Sequence, residues 1–221
     1  MKLLLKNATL LDEKSPFHNQ TKDVLIEKGI VTQLEDHIEN KGAKVINLKN
    51  LHISSGWFDP NVSFGEPGYE ERETLKNGLQ TAAKSGFTNI VLNPNTKPLT
   101  ETHSDVSHLL QSNKNQLTAL HISSVLTEEG KGNQMAPLLD LHKAGAVVFG
   151  DYKTSYNNPN LLRIALDYSQ SFGGLIQAYP MDKALSNNGQ MHEGIISTNL
   201  GLKGIPQVAE TTTLARDLQL L

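Results

Sequence analysis

The spacing of hydrophobic and polar positions changes near residue 50, and the chain divides there into two predicted regions. In residues 1–50, short apolar runs are separated by Gly and Asn, which is typical of strands joined by tight turns. The strands are predicted at residues 2–11, 23–27, 30–34 and 44–48. We therefore expect a small antiparallel β domain over residues 1–50.

From residue 51 onwards, strand-like runs alternate with amphipathic helical runs, which predicts a parallel sheet of about five βα units in a second domain at residues 51–221. Predicted strands cover residues 53–59, 87–92, 117–126, 146–150 and 175–179, and predicted helices cover 73–85, 105–111, 134–144, 159–172 and 206–221. A doubly wound sheet can use five strands, whereas a closed (β/α)8 barrel needs eight and typically about 250 residues. The last helix has no stop signal, which predicts an incomplete C-terminus.

Composition excludes several classes of protein. The 221 residues carry 20 basic and 23 acidic side chains, a net charge of -3, and this balance argues against a nucleic-acid partner. The absence of Cys excludes disulfides, thiolate zinc sites and a Cys nucleophile. No apolar run approaches the roughly 20 residues that a membrane span requires. We expect a cytoplasmic protein without a membrane partner.

Polar side chains follow the predicted strands at the end where parallel α/β proteins place their functional groups. Asp151 is predicted either to cap the turn after its strand or to belong to a site. The run from Asn93 to Thr96 is predicted either to be a turn alone or to contact a ligand. The candidates are Asp59, Asn61 and Ser63, then Asn93, Asn95 and Thr96, then Thr127, Glu128 and Glu129, then Asp151, Tyr152 and Lys153, and finally Tyr179, Met181 and Asp182.

A hydrolytic zinc site needs at least three converging N or O donors and an open position for water. None of the eight His residues forms a His-x-His pair or a helical pair four residues apart. Asp59 and Asp151 are the remaining plausible hard ligands, and two carboxylates make a poor zinc site. No cofactor is therefore expected.

Several segments together resemble the dihydroorotase branch of the amidohydrolase superfamily. Residues 56–68, Gly-Trp-Phe-Asp-Pro-Asn-Val-Ser-Phe-Gly-Glu-Pro-Gly, resemble the family pattern Gly-(apolar)2-Asp-x-His-x-His-x-Arg-Glu-Pro-Gly. Residues 93–98, Asn-Pro-Asn-Thr-Lys-Pro, are similar to its Pro-Asn-Thr motif, and residues 148–151 to its Phe-Ser-Asp segment. With the run at residues 191–217, the similarity covers the whole chain in order.

The resemblance implies an α/β fold, a (β/α)8 TIM barrel of the amidohydrolase type, of which about five βα units lie in this chain. It also implies that residues 1–50 supply the N-terminal strands of a composite β-sandwich, and that the remaining barrel strands lie beyond Leu221.

Carried over to this chain, the family site is degraded. The resemblance puts the two first-strand metal ligands on Asn61 and Ser63, and the Arg that binds the substrate carboxylate on Gly65. It puts the His after the fifth strand on Tyr179. The metal-ligand Asp is kept as Asp151 and the substrate-binding Asn as Asn95.

An amide or a hydroxyl is a weak neutral donor that does not replace imidazole on zinc, and without the metal no activated water forms. We therefore expect a catalytically degenerate dihydroorotase homologue of pyrimidine biosynthesis. The resemblance implies a structural or assembly role, with aspartate transcarbamoylase or a second copy as partner.

Two alternatives remain open. One is an active, zinc-dependent dihydroorotase or related cyclic-amide hydrolase with a site rebuilt from Asp59, Asp151 and Tyr179. The other is a module that binds a small molecule through Asn95.

Overall fold

The computed structural model of the protein describes residues 2–221. Close contacts divide the chain into two compact units, Met1–Gly56 and Trp57–Leu221. The division lies six residues beyond the expected position because residues 52–54 pair with the first strand of the chain.

The first unit contains one five-stranded sheet in the order β3-β2-β1-β4, with β5 also paired to β1. Its strands are β1 (Lys2–Leu11), β2 (Thr21–Glu27), β3 (Ile30–Glu35), β4 (Lys44–Ile46) and β5 (His52–Ser54). The first three are antiparallel, as expected, but β4 and β5 run parallel to β1, so the expectation of a wholly antiparallel unit was wrong. β4 and β5 lie one after the other along β1, where they pair with Leu3–Leu5 and Thr9–Leu11, so neither forms a hairpin with the strand before it. The composite β-sandwich is not confirmed.

A buried ion pair joins three segments of this unit. The carboxylate of Asp23, which is 2% exposed, accepts hydrogen bonds from Lys6 Nζ (2.6 Å) and from the backbone N–H groups of Ile38 (2.9 Å) and Asn7 (3.0 Å). Burial raises the pKa of Asp23, but these donors outweigh it, and the pKa lies below its ordinary value. The ion pair therefore stabilises the packing of β1, β2 and the segment around Ile38.

The second unit is an α/β structure built on five parallel strands in the order β10-β9-β8-β7-β6. The strands are β6 (Trp57–Val62), β7 (Phe87–Leu92), β8 (Ala119–Ser124), β9 (Ala146–Phe149) and β10 (Leu175–Ile176). Because the order in space follows the order along the chain, the sheet has no reversal point of the doubly wound kind, and it curls as an arc of a TIM-type barrel. The five expected βα units are all present.

Helices follow the strands and cover one face of the sheet. They are α1 (Leu75–Lys84), α2 (His103–Ser112), α3 (Leu138–Ala144), α4 (Pro159–Gln170), α5 (Lys183–Ser186), α6 (Ile195–Leu200) and α7 (Val208–Leu218). A short parallel pair, β11 (Met191–His192) with β12 (Gly204–Ile205), was not predicted, because two-residue strands leave no periodic signal.

Local sequence sets the helix ends. The Thr74 hydroxyl caps α1, and a capping box of Thr102 and Asp105 begins α2. Helix α4 begins with Pro159 after the Asn158 cap. Helix α3 ends at Gly145, whose φ of 112° is readily adopted only by glycine.

The core of this unit lies between the sheet and the helices. Ile122 and Phe149 from the sheet meet Leu162 and Ala165 of α4, and all four are fully buried or nearly so. Burying a side chain of this size stabilises the fold by about 1.5–3 kcal/mol.

The strand predicted at residues 53–59 was wrong. The structure forms two strands there, and β5 belongs to the first unit whereas β6 opens the parallel sheet. Ser55 and Gly56 interrupt the apolar run between them. As a result, Asp59 lies in the middle of β6 and not after its end.

No helix within residues 2–221 combines the length and the apolar character needed to cross a membrane.

Replacing Asp23 with Ala should destabilise the first unit by about 3 kcal/mol, because Lys6 and two backbone N–H groups lose their acceptor. Amide hydrogen exchange across β1 and β2 measures the loss. The difference from wild type should be full above the unfolded-state pKa of about 4, and should shrink as pH falls through the lowered folded-state pKa.

The matched control is Asp36→Ala, which removes an ion pair with Lys22 of comparable length (2.5 Å) in which Asp36 is 86% exposed. Its expected effect is below about 1 kcal/mol. Equal exchange rates in the two variants would contradict the role assigned to the buried pair.

Candidate functional site

A cavity of about 230 Å³ lies where the parallel strands of the second unit end. Its lining consists of residues that follow β6, β7, β9 and β10, together with Asn61 from the end of β6 itself. They are Asn61, Ser63, Asn93, Pro94, Gly150, Asp151, Tyr152, Lys153, Gln177, Ala178 and Tyr179. The structure thus brings together seven of the fifteen candidates that the sequence placed at strand ends.

The amide of Asn93 connects the two positions that the resemblance assigns to metal ligands. Asn93 is 3% exposed, and its Nδ2 donates to Asn61 Oδ1 and to Ser63 Oγ (3.2 Å). The Asn61 side-chain oxygen and the Ser63 hydroxyl oxygen therefore both accept from one protein donor. From the sequence, Asn93 was expected either in a turn alone or in contact with a ligand. Its connection to Asn61 and Ser63 was missed, because only the pairing of β6 with β7 reveals it.

Asp151 is 4% exposed and anchors the turn after β8. Its Oδ1 accepts from the backbone N–H groups of Leu126 (2.9 Å) and Thr127 (3.0 Å), and its Oδ2 accepts from the Thr127 hydroxyl. Burial raises the pKa of Asp151 above its ordinary value, although these donors act in the opposite direction. Its backbone N–H donates to the buried Tyr156 Oη (2.9 Å).

Asp59 and Tyr179 occupy separate positions. Asp59 Oδ1 accepts from the backbone N–H of Asn61 (3.0 Å), and Asp59 is not part of the cavity lining. Tyr179 does line the cavity and is 39% exposed. The predicted fifth strand was expected to reach Tyr179, but β10 ends at Ile176.

Gly65 lies in a turn that leaves no room for a side chain. A Cβ atom at this position would lie 1.9 Å from the Tyr69 carbonyl oxygen. The backbone of the turn is fixed by hydrogen bonds from Gly65 N–H to Glu73 O (3.0 Å) and from Tyr69 N–H to Gly65 O (2.8 Å).

Asn95 lines a second cavity, of about 400 Å³, beside the first. Its Nδ2 donates to the Phe64 carbonyl oxygen (3.2 Å). Its enclosed Oδ1 has no hydrogen-bond partner among the described residues.

Tyr152 borders both cavities. The Ser63 hydroxyl beside it lowers the pKa of the Tyr152 phenol, and the positive charges of Lys153 and Arg72 act in the same direction. Arg72 was absent from the sequence candidates, although it is the sole Arg in the segment that joins β6 to α1. Arg72 lies far along the chain from any predicted strand end, so a search for residues that follow strands did not include it.

The donor set does not fit a hydrolytic zinc ion. Within residues 2–221, no three His, Cys, Asp or Glu side chains come close enough together to hold a metal ion. Of the residues that line the first cavity, Asp151 has the sole carboxylate, and both of its oxygens accept protein hydrogen bonds. The other positions supply neutral amide and hydroxyl oxygens, which are poor zinc ligands.

Comparisons with known proteins agree on the family. Residues 52–221 match the family model described as dihydro-orotase-like. The chain is 36% identical over 220 residues to a dihydroorotase of Pelotomaculum thermopropionicum, and 34% identical over 224 residues to one of Syntrophus aciditrophicus. All of the chain is covered in both alignments, but only 51% and 52% of those two proteins. The chain thus spans about half the length of the curated relatives it matches.

Solved structures agree on the fold. An L-hydantoinase (dihydropyrimidinase) from Arthrobacter aurescens superimposes with a TM-score of 0.73 at 17% identity, over 99% of this chain and 50% of that one. A dihydroorotase crystal structure superimposes with a TM-score of 0.58 at 10% identity, over 99% of this chain and 62% of that one. On the sequence match over residues 52–221, this chain belongs to the dihydroorotase-like family.

Proposed function

We propose that this chain is a dihydroorotase-like component of pyrimidine biosynthesis that does not catalyse zinc-dependent hydrolysis and serves as a structural or assembly partner. The observation that carries the proposal is the contact of Asn93 with both Asn61 and Ser63. These residues stabilise the strand ends by bonding to each other, where the resemblance implies two imidazoles directed at a metal.

The state of Asp151 supports the same proposal. Both Asp151 oxygens accept hydrogen bonds from the turn at Leu126 and Thr127, and no second carboxylate or imidazole of the described residues lines the cavity to bind an ion together with it. In this arrangement Asp151 stabilises the turn, which is one of the two roles that the sequence left open.

Substrate binding is altered as well. The turn at Gly65 has no space for the Arg that the resemblance implies for a substrate carboxylate. Asn95, the other implied substrate contact, is present at the mouth of the second cavity. We propose that it contributes to ligand binding without turnover.

The proposed partner is aspartate transcarbamoylase, with a second copy of this chain as the competing possibility. The support is the dihydroorotase name of the relatives together with the resemblance to inactive homologues that associate with the transcarbamoylase. Such an association would depend on the retained fold and not on which residues lie at the strand ends.

A zinc-dependent dihydroorotase with a rebuilt site is the second candidate function. It is favoured by the identity of 36% to a protein named dihydroorotase and by the retention of Asp151. Zinc would have to be held by Asp151 and Tyr179 with few further donors, and Asp59 is already engaged with Asn61.

Metal analysis distinguishes the two functions. The purified protein, dialysed against zinc, should contain much less than one equivalent of zinc and should not hydrolyse dihydroorotate, because imidazole ligands are absent from the first-strand positions. The P. thermopropionicum dihydroorotase serves as the positive control for both assays. Stoichiometric zinc together with turnover would overturn the proposal.

The pH dependence of stability tests the state of Asp151 independently. Its raised folded-state pKa means that its contribution to stability is full below the unfolded-state pKa and is lost as pH rises through the folded-state pKa. The Asp151→Asn variant lacks this loss, so its stability relative to wild type should increase between about pH 3 and pH 7. Urea unfolding at each pH measures the difference. A decrease over this range would indicate a stabilised carboxylate, as a bound metal would produce.

Sedimentation velocity tests the assembly role. A mixture of this chain with aspartate transcarbamoylase should contain a species heavier than either protein alone, and the chain alone reveals self-association. Two species that sediment independently would exclude the proposed partner.

A further inference from the structure

Strand β3 (Ile30–Glu35) is an edge of the five-stranded sheet in the first unit. It pairs with β2 on one side, and within residues 2–221 no strand pairs with its other side. Ile30 is 68% exposed and Val31 is 54% exposed. An exposed edge strand presents unpaired backbone N–H and C=O groups, and an apolar edge favours pairing with another chain. Lys and Pro, which commonly protect such edges, are both absent from β3.

The pairing of β3 with β2 puts two apolar side chains of β3 on one face of the sheet. Val31 pairs with Ile26 of β2. One extra residue, Thr32, interrupts the register, and Leu34 then pairs with Val24. Because the two partners in β2 are two residues apart, Val31 and Leu34 lie on the same face. In a regular strand, residues three apart would lie on opposite faces. A second β3 running antiparallel therefore places Val31 of each copy opposite Leu34 of the other.

The two ends of β3 carry opposite charges. Lys28 and Gly29 form the two-residue turn between β2 and β3, with φ of 52° and 82°, so the Lys28 ammonium lies at the start of the strand. Glu35 ends the strand and Asp36 follows it. Within the described residues Lys28 and Glu35 form no ion pair, whereas Asp36 pairs with Lys22. Antiparallel pairing of two copies brings the basic end of each beside the acidic end of the other, and parallel pairing brings like charges together.

We infer that β3 is a self-association surface, on which two copies of the chain pair edge to edge and antiparallel about a two-fold axis. Such an interface makes every contact twice, so the apolar pair and the charge pair are both doubled. The strand has six residues, which makes the contact small, and the dimer is expected to be transient, with a Kd of about 10–100 µM. The inference concerns the second-copy partner of the proposed function, and it depends neither on the transcarbamoylase nor on the loss of catalysis.

Sedimentation equilibrium of the whole chain, over about 1–300 µM, tests the inference. The average mass should rise from that of one chain towards that of two. Val31→Lys should weaken the association about tenfold or more, because a charge replaces an apolar contact at the paired edge. Val45→Lys is the matched control, since Val45 is 42% exposed on β4 at the opposite edge of the same sheet, and it should associate as wild type does. A chain that stays monomeric at the highest concentration, or an equal loss in both variants, would overturn the inference.

A charge exchange tests the antiparallel arrangement without relying on the loss of a contact. Lys28→Glu and Glu35→Lys should each weaken association, because like charges then meet at both ends of the paired strands. An equimolar mixture of these two variants should associate about as strongly as wild type, because every contact between different copies then joins opposite charges. A misfolded variant would not produce this recovery. A mixture that associates no more than either variant alone would refute the antiparallel pair.

Aspartate transcarbamoylase is the competing occupant of the edge. A wild-type complex with the transcarbamoylase that forms in place of the dimer, and that Val31→Lys abolishes, would assign β3 to that protein and overturn the inference.

Discussion

The buried amide of Asn93 must have hydrogen-bond partners inside the protein, and this requirement organises the strand-end face. An unpaired buried amide costs about 1–3 kcal/mol, which is a substantial part of the stability of a typical domain. Asn61 and Ser63, on the neighbouring strand, supply the acceptors. The same requirement applies between the segments that follow β8 and β9, where Asp151 accepts hydrogen bonds from the backbone N–H groups of Leu126 and Thr127. These particular polar groups are satisfied by one another, whereas Asn95 Oδ1 has no partner among the described residues.

Because these side chains bond to one another, the fold is stabilised at the strand ends without any metal chemistry there. A metal site requires donors whose lone pairs converge on an empty point, and such convergence is unfavourable until the ion is bound. A network that closes on itself has no such requirement and stabilises the sheet directly. A family fold can therefore persist when the residues at its strand ends serve its structure.

The parallel sheet could be predicted well from sequence, because alternating apolar strands and amphipathic helices carry a strong periodic signal. The strand at Phe87–Leu92 was placed correctly to the residue, and the helix at Pro159 was placed correctly at its start. The break at Ser55 and Gly56 was missed, because two polar or small residues inside an apolar run do not reveal that its halves belong to different sheets. The parallel pairing of β4 with β1 was also missed, since pairing partners depend on the path of the chain and not on local propensity.

For the site, sequence reasoning identified which residues follow the strands but not which of them bond to each other. Asp59 was grouped with Asn61 and Ser63, yet it lies within β6 and outside the cavity. Asn93 gained its significance only from contacts with Asn61 and Ser63, which lie 32 and 30 residues earlier in the chain. Side-chain partnerships of this kind are set by tertiary packing, and no spacing rule encodes them.

The turn at Gly65 limits how the strand-end face could be redesigned. Because a Cβ atom at this position would lie only 1.9 Å from a main-chain oxygen, an arginine there would require the backbone between residues 65 and 73 to take a different path. Histidines introduced at positions 61 and 63 alone would leave this turn unable to accept an arginine. Engineering a metal-dependent site in this chain would therefore mean rebuilding a loop as well as exchanging side chains.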